Sequence, residues 1–451
     1  MTSIKILAPC GILGYGYPLD SFMKGMRQHP DAIVVDAGST DAGPHKLGAG
    51  VAIVSKQACK KDLTPMITCG LKEKIPVIIG SAGGSGSKVH VEWTYDIVKD
   101  VIKESGFKNV KIAIIWADIP KTAVEKGIEA GSVQPLGKSI PELTRERFEK
   151  TNRIVAQMGH EPILKALEDK ADIIICGRAY DPSPFAAVAA FYGFDLAYGY
   201  HMGKILECAA LCAVPGTTKD CILGTLYEAG FLISPLSSSR KCTPLSVAAH
   251  TFYEKDHPYL LHGPGYILNL ENCSFRKKAE NSVFVTGSRI IPAEVYCIKL
   301  EGAMQVAYRT FVVAGIRDPL MISQIESIQE DARCQVAAYY SEYDEYTIRF
   351  INYGINGVMG KLEPEKGKPH EVGVIIDVLA GSQEMADAIC STTRSTLLHF
   401  GYEGRKSTAG NLAFPFAPSD VSYGAVYEFS VYHLMEVPDG KDFFPREVRM
   451  I

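Results

Sequence analysis

Along the first part of the chain, continuous runs of Ile, Val and Ala alternate with segments in which apolar residues recur near helical spacing. The runs predict strands over 5–8, 32–35, 76–79, 111–116 and 171–175, because short uninterrupted apolar runs mark strands buried on both faces. Between them the spacing predicts helices near 21–28, 56–74, 89–104, 141–158 and 161–170. Strands alternating with helices imply an α/β fold, a mostly parallel sheet flanked by helices and built with right-handed crossovers. From 195 to about 253 the pattern is helical and mixed. LAYGYHMGKILECAALCAV and RKCTPLSVAAHTFYE are its clearest helices, the second opened by Thr243 and Pro244.

Beyond Gly265 the pattern changes. The runs VFVTG, AEVYCIKLEG, QVAYRTFVVAG, YTIRFINYG, EVGVIIDVLAG and AVYEFSVYHLMEV read as strands, with helical stretches over 319–340 and 383–399. This predicts a C-terminal α+β domain with a mainly antiparallel sheet. The turn-rich HPYLLHGPG makes the junction, so the expected domains are 1–260 and 261–451.

A chain of 451 residues exceeds one ordinary core, in keeping with two domains. Its 47 basic and 51 acidic residues are mixed along the sequence, with no basic block that would mark a nucleic-acid or membrane-surface partner. No run approaches membrane-spanning length, and MTSIKILAPCGILGYG lacks a basic start followed by a long apolar core, so the expectation is a cytoplasmic protein. The 12 cysteines include no C-x-x-C pair and read as buried thiols of a reduced protein.

All five early strands end in glycine and small polar residues: PCGILGYG, DAGSTDAGP, GSAGGSGS, ADIP and CGRAYDPSP. In open α/β sheets ligands bind at the carboxyl ends of strands, so these loops predict a shared cleft. In the second loop Asp36, Ser39, Thr40, Asp41 and His45 offer two carboxylates and an imidazole. Such groups hold a hard cation, with Asp36 and Asp41 as its ligands, or act as general acid and base. Turns that satisfy loop backbone are the alternative.

GSAGGSGSKVH places Ser81, Gly83, Gly84 and Ser85 between a strand and a helix, where backbone amides favour an anion or simply make a tight turn. Its spacing is no nucleotide fingerprint. Arg178 suits a carboxylate, while Asp181, three residues on, offers either an ion pair or a cap for the following helix. His201 is a further acid-base candidate, although a satisfied helix histidine is the commoner reading.

Taken together, VDAGSTDAGPHKLGAG, IIGSAGGSGSKVHVEW, IICGRAYDPSPFAA, HMGKILECAALCA, CTPLSVAAHTFYEK, GIRDP, NGVMG and STAGNLAFPFAPSD resemble the acyclic terpene utilisation, or AtuA-like, family. The resemblance spans nearly the whole chain. It implies a catabolic enzyme acting on branched carboxylic acids or their coenzyme A thioesters. It also implies a small companion domain, fused in some members and separate in others, and here a separate companion is expected. Terpene-branch members resemble G-A-G-x-S-G-D-R in the first loop, whereas PCGILGYGYPLD has neither that Arg nor the adjacent Asp.

The function expected is a lyase or hydratase, in an oligomer of this chain, acting on a small carboxylic acid or acyl thioester. Arg178 and the 83–87 loop would hold the carboxylate, Asp36 or Asp41 would bind a divalent cation or remove a proton, and Asp181, His45 or His201 would be further acid-base groups. Two alternatives are a hydrolase with Cys176 or Ser39 as nucleophile and a carboxylate-binding subunit whose chemistry belongs to a partner.

Overall fold

Strands form where the apolar runs predict them: β1 (Ser3–Ala8), β2 (Ala32–Asp36), β3 (Val77–Gly80), β4 (Lys111–Ile115) and β5 (Ile173–Cys176). They lie parallel in the order β1-β2-β3-β5-β4. Every residue of β2, β3 and β5 is buried, because helices cover both faces. Alternate side chains serve two cores: Ala32 and Val34 pack into one, Ile33 and Val35 into the other. The computed structural model describes residues 2–38, 43–253, 257–365, 367–406 and 408–451.

Antiparallel strands extend this sheet to ten. Ile222–Tyr227 and Gly230–Pro235 form a hairpin beside β1, followed by Val283–Thr286 and Ser274–Lys277, and Arg446–Met450 lies against β4. The hairpin corrects the helical reading of 195–253. ILGTLY and GFLISP join the sheet because β1 leaves a buried edge that only a strand can pair. The helix expected over 141–158 is also corrected, to a short helix Arg145–Glu149 and a strand Thr151–Ala156. Ile154, Val155 and Ala156 are buried there in a ladder against the strand Cys297–Ile316.

AEVYCIKLEG and QVAYRTFVVAG, read as two strands, form that single strand, Cys297–Ile316. It passes through Gly302, where a Cβ would lie 2.8 Å from Val431 Cβ.

By contacts the chain divides into two units, Met1–Met304 with Phe429–Ile451, and Gln305–Glu428. These follow different lines from 1–260 and 261–451, since strands 274–277 and 283–286 pair into the large sheet. In the second unit, Val372–Ala380 runs antiparallel between Tyr346–Tyr353 and residues 308–316 of the long strand. Helices Ile325–Tyr339 and Gln383–His399 pack on it through Ile328, Val336, Ile389 and Leu397. Both helices fall within the stretches expected from spacing, and the second coincides with 383–399.

Candidate active site

The carboxyl ends of β2, β3 and β5 converge on Arg178. Its guanidinium is buried, and its hydrogen-bond partners all belong to the first unit. Nε donates to Glu301 Oε2 at 3.0 Å, and Nη2 approaches Glu301 Oε1 at 3.4 Å. Nη1 faces three acceptors: Ser81 Oγ at 3.0 Å, Ala179 O at 3.1 Å and Asp181 Oδ1 at 3.0 Å. These contacts engage all but one of the five guanidinium hydrogens, leaving one on Nη2.

Glu301 is held from three sides. Besides Arg178 it accepts from Gln157 Nε2 at 3.0 Å and pairs with Lys299 Nζ at 3.1 Å. Burial raises its carboxyl, but the charges of Arg178 and Lys299 prevail and hold it at about 2. On Arg178, burial is likewise outweighed by Glu301 and Asp181, so the guanidinium is held more firmly protonated than usual. Lys299 also donates to Tyr432 Oη at 2.7 Å and lies 4.0 Å from the ring centroid.

Asp36, at the end of β2, is 5% exposed. Burial and the negative charge of Asp181 push its carboxyl well above the ordinary range, against the pull of Arg178 and the Gly38 amide, which donates to Oδ1 at 3.1 Å. The site thus pairs a locked cation with a carboxyl whose charged form is disfavoured by burial. Glu207 adds a further upward push on Asp36. That residue belongs to a second buried group, in which it pairs with Lys204, Lys204 lies over the Tyr253 ring at 4.7 Å, and Cys208 Sγ is 3.1 Å from Tyr253 Oη.

The glycine loop after β3 is shaped by close approach. Gly86 has φ +64, and a Cβ there would lie 2.1 Å from Arg178 N, so only glycine lets the two loops meet. Ser81, with φ +47, occupies the left-handed region despite its side chain, and its Oγ accepts from both Arg178 and the Ala179 amide. Ser85 has no hydrogen-bond partner among the described residues and lines a cavity of about 40 Å³ with Arg178, Glu301, Tyr432 and Gly84. That volume holds one carboxylate-sized group or a single water.

Of the residues picked from sequence, Asp36, Ser81, Gly84, Ser85, Arg178 and Asp181 are brought together here. Gly83, in the same loop, packs against His90 of the following helix, Lys88–Ser105. Asp181 takes the ion-pair role; the helix Ser183–Phe191 begins after Pro182 without a side-chain cap. Ser39, Thr40 and Asp41 lie outside the described residues. His45 sits on the short helix Gly43–Ala49, whose Gly43 and Leu47 line the cavity.

His201 is not part of this arrangement. It is fully buried between Ser288 Oγ, 2.7 Å from Nδ1, and Thr251 Oγ1, 3.1 Å from Nε2, with the Phe231 ring edge-on at 5.0 Å. Cys176 is also fully buried, and burial followed by the charge of Asp36 pushes its thiol far up, the opposite of an activated nucleophile. Among the described residues no group of three or more His, Cys, Asp or Glu is placed to hold a metal ion.

Sequence reasoning missed Glu301, Lys299, Gln157 and Tyr432. A signal existed for two of them: in CIKLEG, Lys299 and Glu301 share one strand face while Ile298 and Leu300 occupy the other.

The fold and site define an α/β protein with a buried, charge-paired carboxylate pocket at the carboxyl edge of its parallel strands. The model of the acyclic terpene utilisation family, AtuA, matches residues 55–412 of 451, and the chain belongs to this family. No curated protein and no solved structure matches it. Membership implies a catabolic role in acyclic terpene utilisation. Among the described residues no helix is long and apolar enough to cross a membrane.

Proposed function

We propose that the chain is a lyase or hydratase acting on a small branched or hydroxy carboxylic acid or its coenzyme A thioester. One observation carries this reading: the buried Asp36 carboxyl, at the end of β2, shares the site with Arg178, a cation fixed by protein acceptors yet with one hydrogen outside those contacts. A planar carboxylate or developing enolate oxygen accepts from Arg178 Nη2 and from Ser85. Donors set in place before reaction stabilise such charge most effectively.

Asp36 delivers the proton to the carbanion or to the departing hydroxyl, as a buried carboxyl with a raised pKa does well near neutrality. His45, on the helix that borders the cavity, takes the proton removed in the opposite direction, and the Tyr432 hydroxyl, which accepts from Lys299, lines the same cavity. The cavity admits only the reacting head of a substrate, so the reading concerns small acids or the acyl end of a thioester.

The test is a thermal-shift screen of the purified protein against hydroxy acids, unsaturated dicarboxylates and their coenzyme A thioesters, with and without Mg²⁺. Any stabilising compound is then assayed for turnover. A ligand that binds only the native state must raise its stability. Asp36→Asn and Arg178→Gln are expected to lower turnover by two orders of magnitude or so while leaving the protein folded, a typical value for general acid-base and electrostatic groups. Folded variants with full activity on that substrate would overturn the assignment.

A further inference from the structure

The second unit holds a cavity of about 450 Å³ that plays no part in the reading above. Two segments build it: Gly315 at the end of the long strand with Arg317, Asp318, Pro319 and Leu320 just beyond it, and the loop that follows helix Gln383–His399. Gly315 and Ala413 exchange both backbone hydrogen bonds, at 2.8 and 2.9 Å, which fixes strand end and loop together. Asn411 Nδ2 donates to the carbonyls of Leu397 and Phe400, each at 2.9 Å, and ties the loop to the helix end.

Three cations line this space: Arg317, Arg405 and Lys406. Among the described residues Arg405 makes no ion pair. Its Nη1 donates to the carbonyls of His399 and Phe400 at 3.1 Å, and its Nη2 to Ala409 O at 2.7 Å. These contacts take three of its five hydrogens and fix the fork, and among the described residues the other two, one on Nη2 and one on Nε, have no acceptor. Arg317 and Lys406 are exposed, with no hydrogen bond or ion pair to another described residue. The carboxylate in the lining, Asp318, is already engaged: Oδ1 accepts from the Leu320 and Met321 amides at 2.8 Å, and the Tyr402 hydroxyl bonds to the same side chain. Leu320, 43% exposed, gives the cavity an apolar wall.

We propose that this cavity binds a phosphorylated organic anion, with the phosphate on Arg317, Arg405 and Lys406 and its carbon skeleton along Leu320. A planar fork held by carbonyls keeps its full charge for an incoming phosphate. The volume falls within the range of small-molecule sites. The cavity lies inside one unit and shares no residue with the candidate active site, so the two readings stand or fall separately.

Isothermal titration calorimetry of the full-length protein at low salt, with pyrophosphate and with adenosine diphosphate, tests it. The wild type is expected to bind both saturably, the nucleotide at least as tightly, with affinity falling as salt rises. Arg317→Ala and Lys406→Ala, at exposed positions away from the loop-fixing bonds, are each expected to weaken binding about tenfold, the usual effect of losing a charge-assisted hydrogen bond. Circular dichroism confirms that both remain folded. No saturable heat in the wild type, a response matched by chloride at equal ionic strength, or unchanged affinity in the double variant would overturn the proposal.

Discussion

Glu301→Gln replaces a carboxylate with an amide of nearly the same shape at a point where Arg178, Lys299 and Gln157 all approach within 3.1 Å. The expected loss of stability follows by two routes. The carboxyl ordinarily titrates at 4.5 and is held in the folded protein at about 2; at roughly 1.4 kcal/mol per tenfold change in ionisation, that is on the order of 3 kcal/mol. Breaking a buried ion pair from one side independently costs roughly 3–5 kcal/mol, and the lower end applies because Asp181 remains on Arg178. The folded value lies below the unfolded one, so the contribution is complete above about pH 4.5 and is lost as pH falls toward about 2. Trp93 and Trp116, the two tryptophans of the chain, both lie in the first unit, so fluorescence-detected urea unfolding follows the unit that contains the pair. The variant should lose about 3 kcal/mol at pH 7 and should lack the wild type's decline below pH 4.5. A loss under about 1 kcal/mol at pH 7, or an unchanged acid dependence, would refute this account of the pair.

Two further outcomes follow from the same site. Asp36 is a buried carboxyl whose folded pKa is raised by burial and by Asp181, so ionising it opposes folding at neutral pH. Asp36→Asn should therefore raise the melting temperature at pH 7 to 8, with the gain shrinking as pH falls toward 4, while activity on any substrate found drops; a lower melting temperature at pH 8 contradicts the burial argument. Gly86→Ala forces a side chain into a left-handed backbone 2.1 Å from Arg178 N. Strain and overpacking together predict a loss of about 3 kcal/mol or more in the same urea assay, and a loss below about 1 kcal/mol would show that the loops are not held at this approach.

The parallel half of the fold was legible because both faces of each strand are buried, which leaves no polar residue to interrupt the run; Ile33, Val34 and Val35 show this directly. The hairpin Ile222–Pro235 was not, since Gly224 and Thr225 dilute the run and only the edge offered by β1 decides its state. At the site, local loops revealed Asp36, Arg178 and Asp181, whose contacts lie within or between strand ends. Partners far away in sequence stayed hidden. Glu301 meets Arg178 across 123 positions, and His201 is satisfied by Ser288 and Thr251 at 87 and 50 positions. A histidine's neighbours decide whether it is a proton-transfer group or a filled core position, and spacing along one helix does not show them.

The partners that hid from the sequence also change what Arg178 can do. A lone arginine at a strand end would attract any anion by charge. With Glu301 and Asp181 on either side, much of that charge is already neutralised, and the remaining Nη2 hydrogen is fixed in direction by the other contacts. Selection then rests on geometry: an acceptor gains from this site only if it fits the 40 Å³ cavity and meets that hydrogen in line. On the proposed reading, an already oriented guanidinium needs little reorganisation when charge develops on a bound oxygen, which would favour a transition state over a tightly held ground state. Arg178→Lys, which keeps the charge but not the fork, is therefore expected to lose nearly as much turnover as Arg178→Gln.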